Sequence, residues 1–152
     1  MTDSETGTAT TDRGLGILEG FSGFAVPDIE AARAFYAGTL GLTVTDGGMG
    51  ILRIELPGGG HVIAYPKPDH VPAVYTMLNF AVGDIDAAVD TLLARGVVFE
   101  RYEGSPHDAK GIVRGWGPPI AWFTDPAGNI LSVLEDSVLE DSVVEESAQR
   151  DE

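Results

Sequence analysis

The sequence contains one seven-residue pattern twice. Residues 26–32 read VPDIEAA, and residues 82–88 read VGDIDAA. In each copy an Asp stands before residues with the apolar spacing of a helix, and Asp is a favoured cap at a helix N-terminus. An internal repeat of this kind predicts two similar structural modules. A ligand pocket between the two copies is then expected.

The residues around the first copy predict a strand, a helix and three further strands. The helix is capped by Asp28 and closed at Gly41, and turns rich in glycine separate the later strands. The predicted strands of this first module are 21–26, 42–45, 51–56 and 61–65, and its helix is 29–39.

The second copy repeats this order. Asp84 caps a helix that runs through Ala94, and Gly96 closes it. The predicted strands are 76–82, 97–102, 120–123 and 130–134, and a turn at residues 125–128 (DPAG) joins the last two. The expected fold is therefore α+β, with two βαβββ modules that pair into a curved, barrel-like mixed sheet and carry their helices outside.

Length and composition favour one domain built from both modules. The chain has 152 residues, of which 43% are hydrophobic, and this is enough for a single core but small for two. We expect the domain at 17–135, with module one at about 18–66 and module two at about 76–135. Residues 1–16 are predicted to be a disordered N-terminal segment, and residues 136–152 an acidic C-terminal tail.

Charge and residue usage exclude several classes of function. The net charge is −15, and most of it lies near the two ends of the chain. A phosphate backbone requires a surplus of Lys and Arg, so nucleic acid is not an expected partner. The chain has no Cys, which removes disulfides, thiolate metal sites and cysteine nucleophiles. No apolar run approaches the roughly 20 residues of a membrane span, and no signal peptide is evident, so a cytoplasmic protein is expected.

Three motifs together resemble the vicinal oxygen chelate superfamily, which includes glyoxalase I, extradiol dioxygenases and bleomycin-resistance proteins. They are the Val-x-Asp-Ile helix openings, residues 34–36 (AFY) followed by 40–42 (LGL), and residues 122–129 (WFTDPAGN). The resemblance covers about residues 18–135. It implies the fold, but not one reaction, because a single fold hosts many functions. It also implies homodimers, in which paired chains build the sites.

The resemblance further implies a divalent metal, such as Fe, Mn, Ni or Zn, held by His and Glu side chains of both modules. The positions that match those ligands are Phe21, Met77 and Ser132, with the fourth near Ala64. None of these side chains suits such a cation, so no metal and no other cofactor is predicted. One alternative stays open, in which Asp69-His70 and His107-Asp108 meet in space, particularly across a dimer.

Strand alternation predicts which side chains line the pocket. Phe24, Val26, Phe80 and Val82 should lie beneath the helices, and the opposite faces should line the cavity. Tyr36 is predicted to pack with its hydroxyl at the surface. Residues 103–119 form a candidate lid that carries Trp116. The predicted ligand-binding residues are Phe21, Tyr65, Met77, Asn79, Trp122 and Ser132.

No local pattern supplies a catalytic device. The sequence has no Gly-x-Ser-x-Gly elbow, no phosphate-binding glycine loop and no paired carboxylates that would face the predicted cavity. The leading hypothesis is a metal-free protein that binds a small apolar or aromatic molecule. The alternatives are a metal-dependent lyase, isomerase or dioxygenase with displaced ligands, and a dimeric interaction module.

Overall fold

A computed structural model of the protein describes residues 14–136. The predicted N-terminal segment and acidic tail therefore lie outside the described residues, apart from their innermost positions. The elements in chain order are β1 (Ser22–Val26), α1 (Ile29–Arg33), a π-helical segment (Ala34–Thr39), β2 (Val44–Asp46), β3 (Leu52–Glu55), β4 (His61–Pro66), β5 (Thr76–Val82), α2 (Ile85–Ala94), β6 (Ile120–Thr124) and β7 (Ile130–Glu135).

Both helices begin at the predicted caps. The Asp28 carboxylate accepts hydrogen bonds from the backbone amides of Glu30 and Ala31, and Asp84 accepts one from Ala87. These bonds satisfy amide groups that a helix leaves without partners in its first turn. The first helix continues into the π-helical segment Ala34–Thr39, which lies within the predicted helix 29–39.

The strands form two mixed sheets. The first sheet has the order β1-β4-β3-β2 and the second β5-β7-β6; β1 pairs with β4 in parallel, and β5 with β7 in parallel. The α+β class is confirmed. In the described part of the single chain, β1 and β5 each pair along one edge only, so the two sheets stay separate and no closed barrel forms.

The second module has one strand fewer than predicted. The prediction of a strand at 97–102 is wrong, because only Phe99 forms a bridge, to Phe123. Beyond this bridge the Arg101 guanidinium donates to the carbonyls of Asp108 and Ala109. These local hydrogen bonds fold the chain back on itself and replace a regular ladder along β6.

One hydrophobic core joins the two modules. Val26, Phe80 and Val82 belong to the core or pack against it, as alternation predicts. The π-helical segment contacts both sheets, since the Phe35 ring lies 6.4 Å from Phe123 of β6, and the Tyr36 ring lies 5.4 Å from Phe24 of β1. Among residues 14–136, neither helix is long and apolar enough to cross a bilayer.

Candidate functional site

A cavity of about 800 Å³ lies beside β1, and we call it the edge cavity. Its walls come from β1, the two ends of β4 and the first residues of β5, and residues of the connection between the modules also line it. The volume falls within the range of about 300–1,000 Å³ that is usual for small-molecule sites. The lining residues used below are Ala25, His61, Tyr65, His70, Tyr75, Thr76 and Met77.

Two of the predicted ligand-binding residues line this cavity, and a third lies next to it. Tyr65 lies opposite Ala25 in the β1–β4 ladder and is 39% exposed. Met77 sits at an irregularity of the β5–β7 register and is half-buried. Phe21 stacks on the imidazole of His61 with ring centroids 4.6 Å apart. Whether these three side chains bind a ligand stays a prediction.

The other three predicted residues lie side by side on the second sheet. Asn79 pairs with Ser132, and Ser132 pairs with Trp122. The sequence left two registers open, because a three-residue turn between Asp125 and Asn129 places Trp122 opposite Ser132 and a four-residue turn places Ala121 there. The structure has the three-residue turn. The Ser132 hydroxyl donates to the Asn79 side-chain oxygen at 2.5 Å.

Trp122 reaches the edge cavity through a hydrogen bond. Its indole N–H donates to the Thr76 hydroxyl at 3.1 Å, and Thr76 lines the cavity. The ring of Tyr102 packs edge-on against Trp122 at 5.5 Å. The structure therefore brings Trp122 to the wall of the site without placing it among the lining residues.

A second cavity, of about 670 Å³, lies between α2 and the β3–β4 hairpin. Leu56 lines both cavities, so they adjoin. The second cavity is mostly apolar, and Asn79 and Arg95 are among its polar lining residues. The lid candidate Trp116 is 63% exposed and lines neither cavity, and its role stays a prediction.

The residues present do not fit the divalent metal that the resemblance implies. Phe21 and Met77 offer no suitable donor, and the Ser132 hydroxyl is bonded to Asn79. Ala64, at the fourth position, pairs with Phe24 in the β1–β4 ladder and is fully buried in the core. It does not line the edge cavity. Among residues 14–136, no three His, Cys, Asp or Glu side chains converge.

The alternative site from Asp69-His70 and His107-Asp108 is not assembled within the described chain. His70 Nε2 lies 3.0 Å from the Asn129 side-chain oxygen, and Asp69 pairs with Lys67 at 2.7 Å. His107 accepts a hydrogen bond from the Tyr102 amide through Nε2. Each member of the two pairs therefore has a local partner.

Asp108 organises the candidate lid. Its Oδ1 accepts hydrogen bonds from the backbone amides of Lys110 and Ile112, both at 2.9 Å, and Oδ2 lies 3.4 Å from Arg114. Burial alone would raise the pKa of Asp108, but the two amides and the Arg114 cation outweigh it, so the pKa is lowered. The carboxylate thus stays charged and holds the loop at neutral pH.

A buried polar network joins the modules behind the edge cavity. The Tyr36 hydroxyl donates to Asp125 Oδ2 at 2.7 Å, and the Asn129 amide donates to the same oxygen at 3.0 Å and to the Ala25 carbonyl at 3.1 Å. The prediction that the Tyr36 hydroxyl reaches the surface is wrong, because Tyr36 is fully buried. Burial, and then the charge of Asp125, raise the pKa of Tyr36 well above its usual value.

His61 is a cavity-lining residue that the sequence analysis did not name. It begins β4 with the same strand parity as Tyr65, is only 8% exposed, and lines the edge cavity. That parity was readable from the sequence and would have placed His61 on the face of Tyr65. Its burial was not readable, because it depends on Phe21 and on the connection between the modules.

Comparison with known families matches the geometry. Residues 20–133 match the model of the Glyoxalase/Bleomycin resistance protein/Dioxygenase superfamily. The chain belongs to this superfamily. A search of curated proteins finds no match.

Solved structures of superfamily members share the fold. A superfamily member from Sphaerobacter thermophilus is 29% identical, with 80% of this chain and 100% of that chain covered and a TM-score of 0.60. The antibiotic binding protein TnmS3 from a Streptomyces species is 25% identical over 81% and 99%, with a TM-score of 0.56. A lactoylglutathione lyase from Agrobacterium tumefaciens is 20% identical over 78% and 92%, with a TM-score of 0.58, and its likeness concerns the fold alone.

Proposed function

We propose that this superfamily member binds a small, largely apolar or aromatic molecule in the edge cavity, without the metal of its enzymatic relatives. The observation that carries the proposal is the chemistry of the walls. Tyr65, Tyr75 and Met77 line a cavity of about 800 Å³, and Phe21 stacks against its wall. Aromatic and thioether side chains favour contact with aromatic rings.

The comparisons support this class of function over the alternatives. TnmS3, an antibiotic binding protein, shares the fold at 25% identity. The lactoylglutathione lyase shares the fold alone. The resemblance implies His and Glu metal ligands for such a reaction, and the positions that match them hold Phe21, Met77 and Ser132. Binding without catalysis is therefore the better-supported function.

A titration with a neutral fluorescent probe, N-phenyl-1-naphthylamine, tests the proposal. We expect saturable 1:1 binding to the wild-type protein. Ala73 lines the edge cavity, so Ala73→Trp should fill part of it and weaken binding at least about tenfold. Ala109 is exposed and lines neither cavity, so Ala109→Trp is the matched control. Absence of saturable binding, or equal loss in both variants, would contradict the proposal.

Metal analysis separates this function from a metal-dependent enzyme. The protein would be purified without a His-tag and measured for Fe, Mn, Ni and Zn. We expect far less than one metal ion per chain, because the matching positions hold Phe21, Ala64, Met77 and Ser132. A stoichiometric ion would favour the lyase, isomerase or dioxygenase reading.

We also propose that the protein acts as a cytoplasmic homodimer. In the described structure β1 and β5 each have an unpaired edge, and such edges readily pair with another chain. Val71, Val74 and Tyr75 lie between the modules and are 83%, 93% and 68% exposed. Light scattering coupled to size-exclusion chromatography should give twice the chain mass, and Val74→Asp should weaken the dimer. A wild-type protein that is monomeric at micromolar concentration would refute the proposed dimer.

A further inference from the structure

The side chain of His61 differs from those of the other two histidines, because its ring has no hydrogen-bond partner among the described residues. His70 lies within hydrogen-bonding distance of Asn129, and His107 bonds to the Tyr102 amide and approaches the Gly111 carbonyl at 2.9 Å. The His61 ring stacks on Phe21. A side chain that is 92% buried normally has its polar atoms satisfied.

The group nearest in the sheet register does not supply that partner. Glu55 lies directly opposite His61 in the β3–β4 ladder, but its carboxylate is bonded to Arg53 at 2.5 Å. Because His61 lines the edge cavity, the missing partner can come from a molecule in the cavity. A hydrogen bond to such a molecule would satisfy a ring nitrogen in this wall.

The charges of the cavity favour a neutral polar group on that molecule. Lys67 lines the edge cavity but is paired with Asp69, which also lines it, at 2.7 Å. Among the described lining residues no Lys or Arg is left unpaired to attract a carboxylate. A hydroxyl group suits imidazole in either tautomer, because it can donate to an unprotonated ring nitrogen or accept from an N–H.

We propose that His61 anchors the ligand of the edge cavity and that this ligand is a neutral aromatic molecule with a hydroxyl group bonded to the imidazole. The inference rests on the proposed binding function and adds the polar group that the ligand must carry. The aromatic body would lie against Tyr65, Tyr75 and Met77. A single hydroxyl is sufficient, since the bond involves one ring nitrogen.

Isothermal titration calorimetry with three probes of similar size tests the inference. Naphthalene has no polar group, 2-methoxynaphthalene can only accept, and 2-naphthol can both donate and accept. We expect 2-naphthol to bind about tenfold more tightly than naphthalene, the change in Kd that one buried hydrogen bond typically gives. 2-Methoxynaphthalene should match 2-naphthol if the imidazole donates, and should match naphthalene if the imidazole accepts. His61→Leu should remove this preference while naphthalene still binds. His107→Gln, at a histidine that lines neither the edge cavity nor the second cavity, is the matched control and should keep it.

The outcomes separate the two proposals. If none of the probes binds, the proposed binding function fails. If all three bind equally, that function stands and the role of His61 is overturned. A preference that survives in His61→Leu, or that is lost equally in His107→Gln, also overturns it.

A spectroscopic measurement on the wild-type protein removes the dependence on variants. The long-range ¹⁵N–¹H correlations of His61 report the state of its ring nitrogens. Adding 2-naphthol should shift these signals, whereas naphthalene should leave the nitrogen shifts nearly unchanged. Equal shifts with both probes would show that binding only changes the ring environment, and would overturn the hydrogen bond.

Discussion

Replacing Tyr36 by Phe tests the buried connection between the modules, because it removes one hydroxyl and keeps the ring. The ring is fully buried and packs edge-on against Phe35, with centroids 5.1 Å apart. The hydroxyl donates to Asp125 at 2.7 Å, and Asp125 is itself only 4% exposed. The substitution therefore leaves the packing in place and takes one donor from a buried carboxylate.

The magnitude follows from the partners that remain. A hydrogen bond to a charged group contributes about 1.5–3 kcal/mol to folding. Without Tyr36, Asp125 still accepts from the Asn129 side chain and from the backbone amides of Ala127 and Asn129. Because three donors remain, we expect a loss near the lower end, about 2 kcal/mol of the free energy of unfolding.

Urea unfolding followed by circular dichroism measures this loss. The midpoint should fall with an unchanged m-value, as expected when stability changes without a change in buried surface. Tyr65→Phe is the control, since Tyr65 is 39% exposed and its hydroxyl has no hydrogen bond to any residue within 14–136. This substitution should change the free energy of unfolding by less than about 0.5 kcal/mol. Equal effects of the two substitutions would refute the view that this hydrogen bond joins the modules.

Three further substitutions or conditions give measurable outcomes. The pKa of Tyr36 is raised in the folded protein, so its contribution to the free energy of unfolding is complete below about pH 10 and is lost as the pH rises above that value. The decrease in the free energy of unfolding above about pH 10 should therefore be smaller in Tyr36→Phe than in the wild-type protein. Asp108→Ala removes the acceptor of two backbone amides, so the free energy of unfolding should fall by about 1–3 kcal/mol. Limited proteolysis of this variant should begin within residues 103–119, and cleavage spread evenly along the chain would contradict the role of Asp108. Gly111→Ala should lower the free energy of unfolding, measured with urea, more than Gly117→Ala does. Both glycines have positive φ, but only at Gly111 would an added Cβ lie 3.0 Å from the Cβ of Phe99. Equal losses in the two variants would contradict a steric cost at Gly111.

Local signals in the sequence predicted the elements that depend on a few neighbouring residues. The helix caps at Asp28 and Asp84 are set by carboxylates within three residues of the amides they bind. The register of Trp122 against Ser132 follows from the length of one turn. These features need no knowledge of the distant chain.

The remainder depended on contacts between distant residues. The repeated element order of the two modules placed residues 97–102 in a strand, but the carbonyls of Asp108 and Ala109 hold Arg101 in a loop. The partner of the Tyr36 hydroxyl lies 89 positions away in the chain. The separation of Asn79, Trp122 and Ser132 from most of the edge-cavity wall likewise depends on how the sheets pack, which no local pattern encodes.

The π-helical segment makes the chain sensitive to the loss of one residue. The Leu40 amide bonds to the Phe35 carbonyl five residues earlier, so this turn holds one more residue than an α-helical turn. Gly38 is exposed, and a Cβ added there would meet no neighbour within 4 Å among residues 14–136, so it would tolerate many replacements. Its deletion is a different perturbation, because the shorter turn would rotate Leu40 by about 100° relative to Tyr36. Homologues that lack this extra residue would therefore need a reshaped wall where Leu40 lines the second cavity.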